Sequence, residues 1–235
     1  MSHILCSLWN VRSLNNKFQD VMEHILDRNP DIVFITETWM ASENNNTTAM
    51  IKSYGYVLHH KIRKERDKVK GGGLGIMLKQ SIMHKELPNK QFQSFEHVCV
   101  KIMVAKRSLI LICIYRIIFV SHTTFLDEFM VLLETKVSTG CSYIIAGDVN
   151  IHLDTKGLYS KSFKELLDAL NLTQNVKEPT HKMGRILDVV INKPDEILVY
   201  MLAVTNLDLS SHLLIDFKLE QKIEKTHTTQ SHTGI

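Results

Sequence analysis

The sequence predicts an α/β protein in which two packed β-sheets are flanked by helices. Short apolar runs of strand length outnumber the segments with helical periodicity, and several neighbouring strands have the short connections of antiparallel pairs. The chain has 235 residues, of which 44% are hydrophobic and 23% are charged, as in ordinary globular proteins. Because the sequence contains neither an internal repeat nor a linker, we predict one domain over residues 1–220 and a polar, disordered tail over 221–235.

The chain opens with the pattern of a β-α-β unit. Residues 4–9 form an apolar run of strand length, and residues 15–28 carry apolar side chains at helical spacing. Asn29 and Pro30 end this helix, because proline disfavours the helical conformation of the residue before it. Residues 31–36 (DIVFIT) then predict a second, buried strand.

The remaining elements alternate in the same way. Residues 41–50 are polar and rich in asparagine, which indicates a surface loop. Three glycines at 71–73 lead into a strand at 74–78, and strands at 95–104 and 108–115 pair through a turn at 105–107. Further strands are predicted at 143–146, 186–191 and 213–219, and further helices at 124–137 and 161–170.

Cysteine usage argues against a zinc site and against disulfides. The four cysteines form no CxxC pair and have no zinc-like spacing. Cys6, Cys99 and Cys113 lie within apolar runs, where a thiol behaves as a small hydrophobic group. We therefore predict buried free thiols in a reducing compartment.

Membrane insertion and secretion are not expected either. No apolar run approaches the roughly 18 residues of a membrane span, and the N-terminus lacks a basic start followed by an apolar stretch. The predicted location is intracellular, in the nucleus or cytoplasm, without a membrane partner. The formal net charge of +3 is too small to identify a nucleic-acid-binding protein by itself.

Residues 61–70 (KIRKERDKVK) form a local basic segment with six basic and two acidic residues. One interpretation is a solvated surface loop with interleaved charges, which most such runs are. The other is a sequence-independent contact with the DNA backbone. The sequence favours the first interpretation slightly.

Polar residues follow or interrupt several predicted strands, at positions where a rigid sheet meets solvent. Taken singly, such residues are more often turn formers or helix caps than catalytic groups. Asp188 is an exception, because apolar neighbours on both sides would make an unpaired charge costly. Together these side chains predict an oxygen-rich site for a hard cation such as Mg²⁺. The candidates are Asn10, Glu37, Tyr115, Arg116, Asp148, Asn150 and Asp188.

A series of motifs in a fixed order resembles the endonuclease domains of LINE-type (non-LTR) retrotransposons. The resemblance covers residues 4 to 219, and the order and spacing of the motifs are more specific than any one of them. The wider grouping is the endonuclease/exonuclease/phosphatase superfamily, which includes apurinic/apyrimidinic endonucleases and implies a four-layer α/β-sandwich. The motifs are Trp9-Asn10-Val11-Arg12-Ser13-Leu14, Thr36-Glu37-Thr38-Trp39, Gly71-Gly72-Gly73-Leu74-Gly75-Ile76, Tyr115-Arg116, Gly147-Asp148-Val149-Asn150, Pro179-Thr180-His181 with Gly184 and Leu187-Asp188, and Ser211-His212.

The resemblance implies a role for each matching residue. Glu37 would bind the catalytic Mg²⁺ (or Mn²⁺) with Asn10 beside it. Asp148 would orient or deprotonate the attacking water, and Asn150 would help to place it. Tyr115 and His212 would contact the scissile phosphate, and Asp188 would belong to the same polar cluster. Arg12, Arg116 and Ser211 would contact the substrate, DNA. The resemblance further implies a nick with a free 3′-hydroxyl, no small-molecule cofactor and a monomeric isolated domain.

Two departures from the family pattern put activity in question. The usual Ser-Asp-His motif reads Ser210-Ser211-His212, so the carboxylate expected to pair with the histidine is absent, unless Asp208 or Asp216 replaces it. The frequent Tyr-Arg-Pro-Pro motif ends in Ile117-Ile118, which would either extend the strand or expose apolar surface beside the phosphate. The alternatives are therefore a catalytically inactive DNA-binding remnant, and a phosphomonoesterase or lipid phosphodiesterase of the same fold.

Overall fold

The computed structural model describes residues 3–40, 46–63, 71–104, 106–137 and 139–221. Within these ranges the chain forms two six-stranded mixed sheets with four α-helices, as the sequence predicts. The strand order is β11-β12-β1-β2-β4-β3 in the first sheet and β5-β6-β7-β8-β10-β9 in the second. The strands are β1 (Ile4–Asn10), β2 (Ile32–Thr36), β3 (Tyr56–Lys61), β4 (Leu74–Lys79), β5 (His84–Glu86), β6 (Phe95–Val104), β7 (Arg107–Arg116), β8 (Ser142–Asp148), β9 (Thr173–Gln174), β10 (Asp188–Asn192), β11 (Ile197–Thr205) and β12 (Leu214–Gln221).

The helices lie on the outer faces of the two sheets. A core of Phe18, Val21 and Ile51 with Val33 and Ile35 joins α1 and α2 to the first sheet. Aromatic side chains of α3 and α4 pack on the second sheet in the same way. The central core lies between the sheets, which completes the four layers. The helices are α1 (Phe18–Arg28), preceded by a 3-10 turn at Asn15–Lys17, α2 (Asn46–Ser53), α3 (His122–Val137) and α4 (Leu158–Ala169).

Most predicted elements are confirmed within a few residues, and the differences have local causes. Residues 46–50, predicted as loop, belong to α2, which buries only Ile51 and therefore has a weak apolar pattern. Strand β11 was not predicted, because it lies at a sheet edge and most of its side chains are at least partly exposed. The short edge strands β3, β5 and β9 were missed for the same reason.

Cys6, Cys99 and Cys113 are free and buried, as predicted. In the described part of the chain, none of the helices has the length and apolarity that crossing a membrane requires. The predicted tail lies almost wholly outside the described residues, as do positions 64–70 of the basic segment and residue 105 of the predicted β6–β7 turn.

Candidate active site

The ends of strands from both sheets meet at one rim of the sandwich. Strands β1 and β2 are parallel and place Asn10 opposite Thr36 at their carboxyl ends. Strands β7 and β8 are also parallel and place Tyr115 opposite Asp148. Strand β10 runs antiparallel to β8 and begins with Asp188 opposite Asp148. Three functional side chains of the second sheet therefore stand on three adjacent strands.

Strand periodicity directs these side chains towards the space between the sheets. In β8, Ile144 and Ala146 belong to the central core, so Asp148 points in the same direction two residues later. In β1, Cys6 and Leu8 place Asn10 on the inner face by the same rule. The polar site thus forms where the apolar layer between the sheets ends.

Hydrogen bonds join the side chains of the two sheets. The Asn10 Nδ2 donates to Glu37 Oε1 at 3.2 Å and to Asp148 Oδ2 at 2.9 Å. The Tyr115 hydroxyl donates to the same Glu37 Oε1 at 3.0 Å. Asn10 and Asp148 are fully buried. The structure therefore brings together the residues that the resemblance assigns to the metal, the water and the phosphate.

His212 is paired with Asp188 and not with a residue beside it in sequence. His212 Nδ1 lies 2.9 Å from Asp188 Oδ2, and His212 Nε2 lies 3.8 Å from Asp148 Oδ2. Both members of the pair are buried. The Ser210 hydroxyl supports the histidine by accepting from the His212 backbone N–H and donating to the Asn10 carbonyl.

The expectation that Ser211 deprives His212 of its carboxylate is therefore wrong. Asp208 and Asp216, considered as replacements, pair with Lys182 and Arg28. The Ser211 hydroxyl is buried and has no hydrogen-bond partner among the described residues. Its proposed contact with substrate stays a prediction.

The buried charges shift the protonation of the cluster. Burial raises the pKa of Asp148 to about 7, and the neighbouring charge of Asp188 adds to this effect. For His212, burial alone would lower the pKa. The charge and hydrogen bond of Asp188, with the other site carboxylates, outweigh burial and raise the pKa of His212 to about 9. His212 thus holds its proton more firmly, and Asp148 takes one up more readily, than the free side chains do.

Arg116 does not occupy a substrate-binding position. Its side chain is buried, and its guanidinium donates to the carbonyls of Asn150 and Val120 at 3.3 and 3.0 Å. Asn150 returns the contact, since its Nδ2 donates to the Arg116 carbonyl at 3.0 Å. The Asn150 N–H also donates to Asp148 Oδ1 at 2.8 Å. Arg116 therefore supports the loops beside the site, and these contacts give no support to its predicted contact with DNA.

The glycine motif lets the backbone approach three site side chains. A Cβ at Gly71 would lie 3.2 Å from Trp39 Nε1, and one at Gly73 would lie 2.7 Å from Thr38 Oγ1. A Cβ at Gly72 would lie 2.2 Å from the Arg63 Cζ. All three glycines have positive φ angles, so larger residues would be strained there as well. The sequence identified this motif without indicating which side chains it packs against.

Glu96 is a site residue that the sequence analysis missed, and Arg63 was named there only as part of the basic segment 61–70. Arg63 Nε lies 2.8 Å from Glu96 Oε1, and its guanidinium lies over the Tyr115 ring at 5.3 Å from the centroid. Glu96 Oε2 accepts from the Gly73 N–H at 2.8 Å. Glu96 carries the same signal as Asp188, an acid inside an apolar strand, and that signal could have identified it.

Unusual backbone conformations cluster at the site. Left-handed φ angles occur at Arg12, Ser13, Glu37, Trp39 and Asn150, which all lie on loops that follow β1, β2 and β8. Such conformations cost energy in non-glycine residues and persist only where the surrounding structure fixes them. The loops that carry the polar side chains are thus held in specific conformations. Arg12 is exposed at this edge, consistent with its predicted substrate contact, which no contact in the structure tests.

The donor set fits a hard divalent cation. Glu37 accepts from Asn10, Tyr115 and Trp39, which are all neutral donors, and no ion pair reaches it among the described residues. Three carboxylates (Glu37, Asp148 and Asp188) lie together with one imidazolium, and Asp148 and Asp188 are buried. Oxygen ligands of this kind suit Mg²⁺ or Mn²⁺.

Two arrangements of ligands are possible within this cluster. Asp148, Asp188 and His212 have potential ligand atoms within 4.8 Å of one another. However, the short Asp188–His212 contact already uses the imidazole Nδ1. We therefore favour the Glu37 side, where the carboxylate is held by neutral donors, among them the Asn10 amide.

Comparison with known protein families gives the same superfamily as the sequence motifs. The profile of the Endonuclease/Exonuclease/phosphatase family matches residues 8–212. Among curated protein sequences, none matches this chain significantly.

Solved structures with the same fold include enzymes of several kinds. The endonuclease domain of TRAS1, a telomere-specific non-LTR retrotransposon, superposes with a TM-score of 0.71 at 15% identity, over 93% of this chain and 99% of that one. The human Nocturnin catalytic domain gives a TM-score of 0.73 at 14% identity, over 94% and 95% of the two chains. An AP endonuclease from Archaeoglobus fulgidus gives 0.66 at 14% identity, over 94% and 100%. At these identities the likeness concerns the fold alone.

Proposed function

Because this chain belongs to the endonuclease/exonuclease/phosphatase family, we propose that it is a metal-dependent DNA endonuclease whose nicks carry a free 3′-hydroxyl. The observation that carries the proposal is the single hydrogen-bonded network of Asn10, Glu37, Tyr115 and Asp148 beside the Asp188–His212 pair. The motif order supports the retrotransposon type of substrate over a small phosphate ester.

Glu37, with Asn10 beside it, would hold Mg²⁺ or Mn²⁺. The bound ion would neutralise negative charge that develops on the phosphate oxygens. Tyr115 keeps its proton, because burial and the nearby charge of Glu37 raise its pKa. Its hydroxyl donates to Glu37 here, and with the ion on that carboxylate it would be free to donate to the phosphate instead.

Asp148 would remove the proton from the attacking water. Burial and the charge of Asp188 raise the pKa of Asp148, which makes it a stronger base than an ordinary carboxylate. The water oxygen bonds to phosphorus while the bond from phosphorus to the 3′-oxygen breaks, and the leaving oxygen takes up a proton. Asn10 holds Asp148 in place through its side-chain amide.

His212 would donate a hydrogen bond from Nε2 to a phosphate oxygen. Its Nδ1 faces Asp188, which fixes the ring and stabilises the imidazolium. This pair is the observation that weighs against a catalytically inactive remnant, since the partner of the histidine is present despite Ser211.

Plasmid nicking tests the proposal directly. Supercoiled plasmid is incubated with the purified chain and Mg²⁺ or Mn²⁺, and the nick is tested for extension by a DNA polymerase, which requires a 3′-hydroxyl. We expect nicking by the unmodified chain and its loss in Glu37→Gln, which keeps the size of the side chain. Met83→Ala, at an exposed position beyond the far end of β4, serves as the control with unchanged activity.

Three results would contradict the proposal. Nicking that persists at full rate in Glu37→Gln would exclude the proposed metal site. Nicking that occurs only in Ser211→Asp would indicate a DNA-binding remnant silenced at that position. Hydrolysis of a small phosphate monoester without any cleavage of DNA would favour a phosphomonoesterase.

A further inference from the structure

An exposed apolar wall borders the cleft that leads to Glu37 and Tyr115. The cleft has a volume of about 320 Å³, and its wall is formed by Trp39, Ile118 and Phe119. These side chains are 42%, 57% and 72% exposed. Single exposed apolar residues are common, but three that line one cleft indicate a binding surface.

The turn that carries Ile118 and Phe119 is firmly held. Its ends are joined by the hydrogen bond from Val120 N–H to the Ile117 carbonyl at 3.3 Å. The Ile117 N–H donates to the Ser94 carbonyl at 2.8 Å, and the buried Arg116 guanidinium donates to the Val120 carbonyl at 3.0 Å. Strand β7 ends at Arg116, so the expected extension of the strand is wrong, and the expected exposure of apolar surface is confirmed for Ile118. The turn presents its apolar side chains in a defined position.

Trp39, which lines the same cleft, is also held in a fixed position. Its Nε1 donates to Glu37 Oε2 at 3.1 Å, and Gly71 leaves room for the indole. The indole therefore lies directly beside a carboxylate that faces the scissile phosphate in the proposed reaction. In the proposed reaction, a base next to the scissile phosphate would therefore lie near the indole.

The charges of the cleft match a nucleotide. Arg12 and Arg63 line the same space as the apolar side chains. Arg12 is exposed and forms no ion pair within the described ranges. Arg63 lies over the Tyr115 ring, and although its Nε pairs with Glu96, its Nη2 has no hydrogen-bond partner in the described part of the chain. Guanidinium groups beside aromatic rings suit a ligand that combines a flat base with flanking phosphates.

We propose that this cleft binds one unpaired nucleobase next to the scissile phosphate, held between Trp39 and the Ile118–Phe119 turn. The proposal rests on DNA being the substrate. A base within a duplex has both faces covered by its neighbours, so only an unpaired base can enter the cleft and stack there. The preferred substrate is accordingly DNA with an unpaired nucleotide at the cleavage position, and not a continuous duplex.

Fluorescence of 2-aminopurine tests the proposal without cleavage, because stacking on an aromatic ring quenches this base. The probes are short DNA hairpins with a single-stranded extension, with 2-aminopurine at successive positions around the junction, and the matched fully paired duplexes. Binding is measured in EDTA with the full chain. We expect quenching and tighter binding for an unpaired 2-aminopurine, and weaker binding of that probe by about tenfold in Phe119→Ser.

Two further variants separate stacking from disturbance of the site. Trp39→Phe keeps an aromatic ring but loses the hydrogen bond to Glu37, and we expect it to retain most of the quenching. Met83→Ser replaces an exposed apolar side chain far from the cleft, and we expect it to bind as the unmodified chain does.

Equal binding of the unpaired probe by Phe119→Ser and the unmodified chain would overturn the proposal. An equal loss of binding to paired and unpaired DNA would also overturn it, in favour of a contact with the duplex. If the chain nicks plasmid but quenches no probe, this inference fails while the proposed function stands. If Phe119-dependent quenching occurs without nicking, the base-binding cleft is supported and the proposed function fails.

Discussion

At the scale of single residues, the environment of His212 decides whether the departure at Ser211 matters. The histidine and its carboxylate partner come from positions 24 residues apart, and both are buried at the rim where β10 begins. Sequence adjacency suggested residue 211 as the partner, because the motif places it next to the histidine. The pairing is instead made across the fold, which the one-dimensional pattern does not show.

Asp188→Asn should reduce nicking far more than Ser211→Ala. Removal of Asp188 takes away the charge that holds the imidazolium and the acceptor that fixes its ring. The corresponding loss in a serine-protease triad is about 10⁴ in turnover, and we expect a decrease of that order. Ser211→Ala removes a hydroxyl without a described partner and should change turnover by less than about tenfold. Steady-state rates on one plasmid measure both variants, and a similar loss in the two would contradict the assigned pairing.

At the scale of elements, the end of β8 depends on a close backbone approach. A Cβ at Gly147 would lie 1.9 Å from the Ile114 carbonyl oxygen of the adjacent strand β7, and the φ angle of Gly147 is 156°. The neighbouring atom belongs to the backbone of a central strand and cannot move aside. Glycine at this position therefore determines how Asp148 is presented to the site.

Gly147→Ala should destabilise the protein by more than about 4 kcal/mol, or prevent folding, because strand β7 would have to separate from β8. Gly157→Ala is the matched control. Gly157 precedes α4, has an ordinary φ of −63°, and has only the Thr155 hydroxyl near its Cβ position, at 3.4 Å. Urea unfolding measures both variants. A loss of stability in Gly147→Ala no greater than in Gly157→Ala would contradict this account.

Strand β6 contains a buried histidine that should make folding sensitive to acid. His97 packs against the rings of Phe92 and Phe95, and its Nδ1 has no hydrogen-bond partner in the described ranges. Burial, with the charges of Lys61 and Lys136, lowers the pKa of His97 to about 3. The unfolded chain takes up this proton near pH 6.5. The contribution of neutral, buried His97 to the free energy of unfolding is thus complete above about pH 6.5. It is lost progressively as the pH falls towards about 3.

His97→Phe should therefore make the free energy of unfolding less dependent on pH between about 6.5 and 3. Exposed His152, replaced by glutamine, is the control for loss of one titrating imidazole. Unfolding by urea at a series of pH values gives the comparison. If His97→Phe and the unmodified chain lose stability in parallel over this range, His97 does not carry the effect.

The strands and helices also show which elements could be predicted from sequence patterns and which could not. Strands that are buried on both faces, such as β7 and β8, have uninterrupted apolar runs and were predicted within one or two residues. Edge strand β11 alternates between partly buried and exposed side chains and includes a shift of register between Tyr200 and Ala203, so its pattern is weak. Helix α2 was missed because its polar residues face solvent.

For the whole molecule, the site exists only because two sheets from distant parts of the chain close on each other. Asn10 and Glu37 come from the first sheet and its loops, whereas Tyr115, Asp148 and Asp188 come from the second. The resemblance of motifs identified these residues, because it carries the family's order along the chain. It could not reveal that Arg116 turns inward or that Arg63 packs over Tyr115, since those contacts depend on how the loops fold.

A site assembled from both sheets should couple metal binding to the stability of the entire fold. Carboxylates this close to one another repel when ionised, so Mg²⁺ should bind the folded chain and raise its melting temperature. Stabilisation is about 2.7 kcal/mol when the free ion exceeds its Kd 100-fold, which corresponds to roughly 5 to 10 °C for a domain of this size. We expect the shift to disappear when EDTA is added.

Two variants locate the ion in the same thermal measurement. If Glu37 and Asn10 hold it, Glu37→Gln abolishes the shift while Asp188→Asn retains most of it. If Asp148, Asp188 and His212 hold it instead, Asp188→Asn abolishes the shift. With the ion on Nε2 of His212, that second result would remove His212 from its proposed role as phosphate donor, because a ring nitrogen that binds a metal has no proton to offer. The melting curves thus test the metal site and the assignment of His212 together.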